Sequence, residues 1–382
     1  MNNTTSTDLY YYIEITKIIS KTISPFILIL CFVGNLLSFL VLINRRLRKQ
    51  TTACYLAVLC VIEIGTCFTG LLRQFLIDAF KIDIRTMEHF ITNPYYRTWT
   101  CRIHIYLTYV FLRLSPVLLV IVTMQRYFYV SKKSICTQKS VFIQLFLIIT
   151  IVCLCESHFF IYYEYTLSDT RPKSELKMEC TVDKERYKTY YKFRSEYYGK
   201  ISLFLFTLLP FVLMVIFNGL LIRTIHQSTK RSQSKKSSKK RNITRMLLTV
   251  SLFYTTLTSP ASIYIAVAPP KYQLLPWYVI QWTLLRLLFY LCHSVNFLLY
   301  CASGSTFRQD FLAMILCHTS SSLQHRHTAR HHPQQQQQQQ LPSTFSKIAC
   351  CCLCSKRERT HALIEFSDYL PKERAGDTMI NS

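Results

Sequence analysis

Residues 141–163 read VFIQLFLIITIVCLCESHFFIYY, and this stretch decides the fold. A helix needs roughly 20 mostly apolar residues to cross the hydrocarbon core of a bilayer, and the stretch is that long. Its apolar side chains fall on every face, without the polar stripe that a helix on a soluble core would keep toward water. Six further stretches read the same way: 23–43, 53–77, 102–124, 201–222, 246–268 and 278–301. None is divided by a run of charges. In a chain of 382 residues that is 50% hydrophobic, this predicts an all-α fold, a seven-transmembrane helical bundle.

The net charge of +25 is placed unevenly. The first connection holds Arg45, Arg46, Arg48 and Lys49, and the fifth holds Lys230, Arg231, Lys235, Lys236, Lys239, Lys240 and Arg241 without an acid. The connections between them mix signs, as in Asp183-Lys184-Glu185-Arg186. Lys and Arg collect in short cytoplasmic loops, so the reading is a multi-pass plasma-membrane protein with its N-terminus outside and its C-terminus inside. Between two spans, the basic run faces anionic lipid and a cytosolic partner rather than nucleic acid. The overlapping sequons at Asn2 and Asn3 suit an outer glycosylated end. The start of the chain lacks the pattern of a cleavable signal, and the first span is expected to act as its own insertion signal.

Of 16 cysteines, this topology leaves Cys101 and Cys180 on the oxidising side outside the membrane, which reads as one disulfide. Cys153, Cys155 and Cys292 read as small apolar fillers. Cys317, Cys350, Cys351 and Cys352 lie beside basic residues on the inner side, a setting for palmitoylation; metal binding by the tail cysteines is the alternative, without a second ligand pair at zinc spacing. The organisation is an outer tail at 1–21, a seven-helix membrane bundle at 22–303, an amphipathic surface helix at 304–317 and a low-complexity inner tail at 318–382 rich in His and Gln. No metal site is expected there. With Gly at 7 residues, the Gly-interrupted helix pairs of a transporter are missing. No Gly-rich phosphate loop, HExxH or GxSxG points to an enzyme.

Polar groups at membrane depth then narrow the class, because each is costly and by default functional. The first span holds Gly34-Asn35, the second Glu63, and the third runs from Trp99-Thr100-Cys101 to Gln125-Arg126-Tyr127. Pro210 marks the fifth and Pro260 the sixth, and the seventh ends Asn296-Phe297-Leu298-Leu299-Tyr300, with Phe307 beginning the surface helix. In this order the motifs resemble those of rhodopsin-like (class A) G-protein-coupled receptors, over about residues 23–312. The Asn-Phe-x-x-Tyr-Cys form after His293-Ser294 is similar to invertebrate FMRFamide- and myosuppressin-type neuropeptide receptors.

The resemblance implies roles. Gln125, Arg126, Tyr127, Asn218, Asn296 and Tyr300 form the set that couples to a heterotrimeric G protein, with arrestin as a further partner. A snorkelling, structural Arg126 is the alternative. Asn35, Glu63, Ser115 and Asn296 correspond to the family's sodium cluster, the alternative being a hydrogen-bonded cluster without an ion. No other cofactor is implied. Gln125 stands where the family has an acid, so the resting contact with Arg126 is expected to be a neutral hydrogen bond. Thr258 stands in place of a tryptophan. Phe297 replaces the proline that would kink the last span, which leaves that kink open.

Retinal is excluded, since Lys271 lies before the last span. An amine is excluded too, since Thr108 stands where aminergic receptors carry an acid. The upper halves of the spans instead hold Arg73, His104, Thr108, Arg113, Tyr264, Trp282 and Arg286 as candidate ligand residues. Buried guanidinium groups suit a carboxylate, sulfate or phosphate; pairing with acids of the bundle such as Glu156 is the alternative. The charged loop at about 164–200 suits a peptide, so a neuropeptide ligand is the leading expectation. An anionic small molecule or lipid is the second and a transporter the third.

Overall fold

A computed structural model describes residues 2–44, 47, 50–131, 137–167, 178–231, 235–267, 276–305 and 307–315. The chain divides into two units, Met1–Phe311 and Leu312–Ser382, and the bundle is the first. Among the described residues, five helices are each long and apolar enough to cross a membrane: α1, which includes Tyr10–Leu42; α2, Thr51–Phe80; α3, Pro94–Val130; α4, Gln138–Tyr162; and α5, Lys188–Thr224, which continues to Arg231. α6 is Lys235–Val267. α7 and α8, Pro276–Ser294 and Asn296–Ser303, make one span bent by 51°. These are the seven helices of an all-α membrane bundle.

α1 begins at Asn2, so the segment expected as a tail at 1–21 is a helical extension of the first span. The buried positions Thr16, Ser20, Ser24, Ile27 and Cys31 recur at three- and four-residue spacing on one face. Small side chains let helices approach closely where lipid supplies no hydrophobic drive. The Ser294 hydroxyl of α7 lies 3.2 Å from the Ile27 carbonyl across that seam.

α6 is the most polar span, and its hydroxyls are satisfied within the helix. Thr255, Thr256, Thr258, Ser259 and Ser262 each donate to the carbonyl four residues back, at 2.7–3.1 Å. In hydrocarbon such back-bonding hides groups that would otherwise go unpaired.

The last span kinks without proline. The His293 carbonyl accepts from Nδ2 of Asn35 at 3.1 Å, and the Ser294 hydroxyl donates to the Tyr290 carbonyl at 2.8 Å. Side chains that enter the backbone ladder break it as a proline would. Phe297, in proline's place, packs instead against Phe307 and Phe311 of α9 (residues 307–315), at 6.1 and 5.1 Å. Arg308 caps α8 by donating to the carbonyls of Cys301 and Ala302, at 2.9 and 3.1 Å.

The α4–α5 connection contains β1, Tyr163–Leu167, and β2, Met178–Val182, an antiparallel pair with Tyr165 opposite Cys180. Cys180 lies against Cys101 of α3 at disulfide-bonding distance, with Cα atoms 5.6 Å apart. This end of the bundle, which the 81–93 loop shares, is the disulfide end.

Candidate ligand site and transmission core

At the disulfide end, Arg73 of α2 does not point a free guanidinium into a cavity. Its Nε and Nη2 donate to the two carboxylate oxygens of Asp83 at 2.8 and 2.6 Å. Asp83 also accepts from the backbone N–H of Arg85 at 2.9 Å. Burial alone would raise the Asp83 carboxyl, but the bonds and charge of Arg73 outweigh it and hold the group below its ordinary range. The Arg85 side chain then dips toward α3, with Nε 3.4 Å from Nδ1 of His104. Burial, followed by the charge of Arg73, pushes Arg85 down to about 10.

Arg113 is also met from within. Its Nε lies 3.5 Å from Oε1 of Glu156, and the Tyr198 hydroxyl donates to Oε2 of the same acid at 2.9 Å. Its guanidinium also stacks 4.8 Å from the Phe206 ring. For Arg73 and Arg113, then, the open alternative of pairing with acids of the chain is the one observed. Arg286 differs: among the described residues it makes no hydrogen bond or ion pair, and its Nε is buried without an acceptor. The charged groups in electrostatic reach are Asp78 and Arg73.

The other expected ligand residues are spread out. Thr108 donates to the His104 carbonyl at 2.7 Å. Tyr264 donates to Gln281 at 3.0 Å and stacks on Tyr278. Trp282 is half-buried on α7. Below them a pocket opens between α3, α5, α6 and α7, lined by Arg113, Pro116, Pro210, Tyr254, Thr258 and Phe289 among others. Thr258, standing where a tryptophan was expected, leaves that space open.

The middle of the bundle converges on Glu63, which is fully buried. The Ser115 hydroxyl donates to Oε1 at 2.9 Å, and Nδ2 of Asn296 approaches the same oxygen at 3.4 Å. Nδ1 of His293 contacts Oε2. Glu63, Ser115 and Asn296 are thus brought together as a cluster. Asn35 stands one step away, bonded to the carbonyls of Cys31 and His293 at 2.9 and 3.1 Å.

At the far end, Arg126 is buried and its Nε has no bond. The expected hydrogen bond from Gln125 is not made. Gln125 turns its amide to Tyr55 Oη at 2.8 Å and Gln144 Oε1 at 3.0 Å, because neighbouring helix positions point about 100° apart. Tyr127 packs on Phe217 at 6.0 Å, Asn218 donates to Ser251 at 2.7 Å, and Tyr300 is buried against Phe307. The side chains of Asn2 and Asn3, with Lys271, Cys317, Cys350, Cys351 and Cys352, lie outside those described.

The profile of the family described as serpentine type 7TM GPCR chemoreceptor Srw matches residues 22–318. The chain belongs to this family.

An Srw protein is a multi-pass membrane receptor that binds a ligand and acts through a G protein, and it is not an enzyme. The match supports the G-protein-coupled class and does not single out neuropeptide receptors, so the narrower FMRFamide- and myosuppressin-type likeness is not carried by it. No curated protein matches the chain. Arg85, His293 and the Tyr55–Gln144 pair were not singled out from sequence as functional residues. A loop arginine, and a histidine already quoted as part of a motif, carried no signal until their neighbours were placed.

Proposed function

We propose that this Srw receptor sits in the plasma membrane with the disulfide end outside, and that its ligand is a peptide presenting an anionic group to Arg286. The observation that carries the reading is the Arg286 guanidinium without a bonded partner among the described residues. A buried cation costs several kcal/mol unless something compensates it. Arg73 and Arg113 are paired with acids at contact distance; Arg286, with its Nε buried, has Asp78 in electrostatic reach but no bond to it. Arg85, beside His104, adds a second cation at the same end, so a carboxylate or sulfate entering there meets positive charge from α7 and from the 81–93 loop. The charged α4–α5 connection favours a peptide. The chemoreceptor description of the family favours the second reading, a small organic anion or lipid using the same arginine.

The reading includes coupling of Arg126 to the G protein, arrestin at the same face, glycans on Asn2 or Asn3, and palmitate on Cys317 and the 350–352 cysteines. Cells expressing the full chain are screened with amidated and acidic peptides and with small carboxylates and sulfates, reading calcium and cAMP. Arg286→Ala is expected to lower agonist potency by roughly ten- to a hundredfold, with Arg286→Lys recovering part because ammonium lacks the bidentate fork. Loss of folding in Arg286→Ala, or unchanged potency, rejects the anionic-ligand assignment.

A further inference from the structure

The resemblance to class A receptors implies a sodium ion at Glu63, Ser115 and Asn296. A hard cation needs oxygen lone pairs converging on one point. Around Glu63 the neighbours direct hydrogens instead: the Ser115 hydroxyl at 2.9 Å and the Asn296 amide nitrogen at 3.4 Å, both toward Oε1. Nδ1 of His293 takes Oε2, and both side chains of this pair are 0% exposed. Sodium would require Ser115 to rotate, Asn296 to flip and His293 to withdraw.

The imidazole has little room to withdraw. Its ring lies 4.6 Å from Phe289 and 5.7 Å from Tyr254. The backbone behind it is anchored by Asn35, which holds the His293 carbonyl at 3.1 Å. Oδ1 of Asn35 is a buried oxygen without a bond, but a single neutral carbonyl does not make a coordination shell.

We propose that His293 takes the place of sodium in this receptor. The imidazole N–H, supplied by the chain itself, fills the position beside Glu63 that the ion would occupy, and the core is closed to sodium. The proposal concerns the bundle core and is independent of the ligand reading.

The test uses the full-length receptor, purified into lipid nanodiscs, with sodium as the probe. Melting temperature is measured from 0 to 300 mM NaCl against choline chloride at constant ionic strength, concentrations of the order that populate a millimolar site. The wild type is expected to melt at the same temperature in both salts. His293→Ser exchanges the ring for a small oxygen ligand and frees Oε2. It is expected to gain a sodium-specific rise of roughly 2–4 °C. His293→Asn serves if the serine variant does not fold. A sodium-specific rise in the wild type overturns the proposal. So does a folded His293 variant whose melting remains indifferent to sodium.

Discussion

Nε and Nη2 of Arg73 reach the two carboxylate oxygens of Asp83 at 2.8 and 2.6 Å, a fork between the second helix and the loop that follows it. The same carboxylate accepts the Arg85 backbone N–H at 2.9 Å, so one acid fixes the guanidinium of Arg73 and the course of the chain that carries Arg85.

Asp83→Asn is expected to destabilise the receptor while leaving it folded, because half of a partly buried pair is removed. Its pH dependence has a definite sign. The Asp83 carboxyl is held below its ordinary range, so the folded state binds that proton less readily than the unfolded chain. The stabilisation is complete above the unfolded value near about 4 and is lost as pH falls through the lower folded value. Melting temperatures of wild type and Asp83→Asn should differ at neutral pH and converge below about pH 4. A gap independent of acid rejects the ion-pair account.

Cys180→Ser should cost about 4 kcal/mol, since a cross-link between positions 79 residues apart restricts the unfolded chain over a long loop. Surface expression should fall, and so should binding at the disulfide end. Mass spectrometry that finds Cys101 and Cys180 as free thiols in surface receptor contradicts this.

Arg126 is buried with no hydrogen bond among the described residues, and Gln125 is turned to Tyr55 and Gln144. Arg126→Ala should abolish nucleotide exchange on the G protein while ligand binding and expression remain. Ligand-free activity should be measurable in the wild type, because no charge locks Arg126, and Gln125→Glu should lower it. Full signalling by Arg126→Ala, measured by nucleotide loading, defeats the assignment.

Gly70 lies where its neighbour leaves no space for a side chain: an added Cβ would overlap the hydroxyl of Tyr290 and come within 2.7 Å of its Cζ. Gly70→Ala should therefore reduce surface expression by pushing α2 from α7. Adding Tyr290→Phe should restore part of it, as the nearest atom is removed while the ring remains. Equal expression of Gly70→Ala and wild type would show that the helices part without cost.

The sequence by itself determined the seven helices, because lipid demands apolar faces all round for about 20 residues and 141–163 meets that without help from any neighbour. The resemblance of its motifs to class A receptors also implied a cluster of Glu63, Ser115 and Asn296, and the fold brings those three together. Tertiary structure decided which cation has a partner. Arg73, Arg113 and Arg286 look alike along the chain, and only folding brings Asp83 to the first and Glu156 to the second. The kink was decided in the same way. Phe297 in place of proline left it open, and the bend of 51° comes from Asn35 of another helix taking the His293 carbonyl. Hydropathy is a property of each residue and is legible locally. The compensation of a buried charge or carbonyl belongs to a pair, and its second member is supplied by the fold.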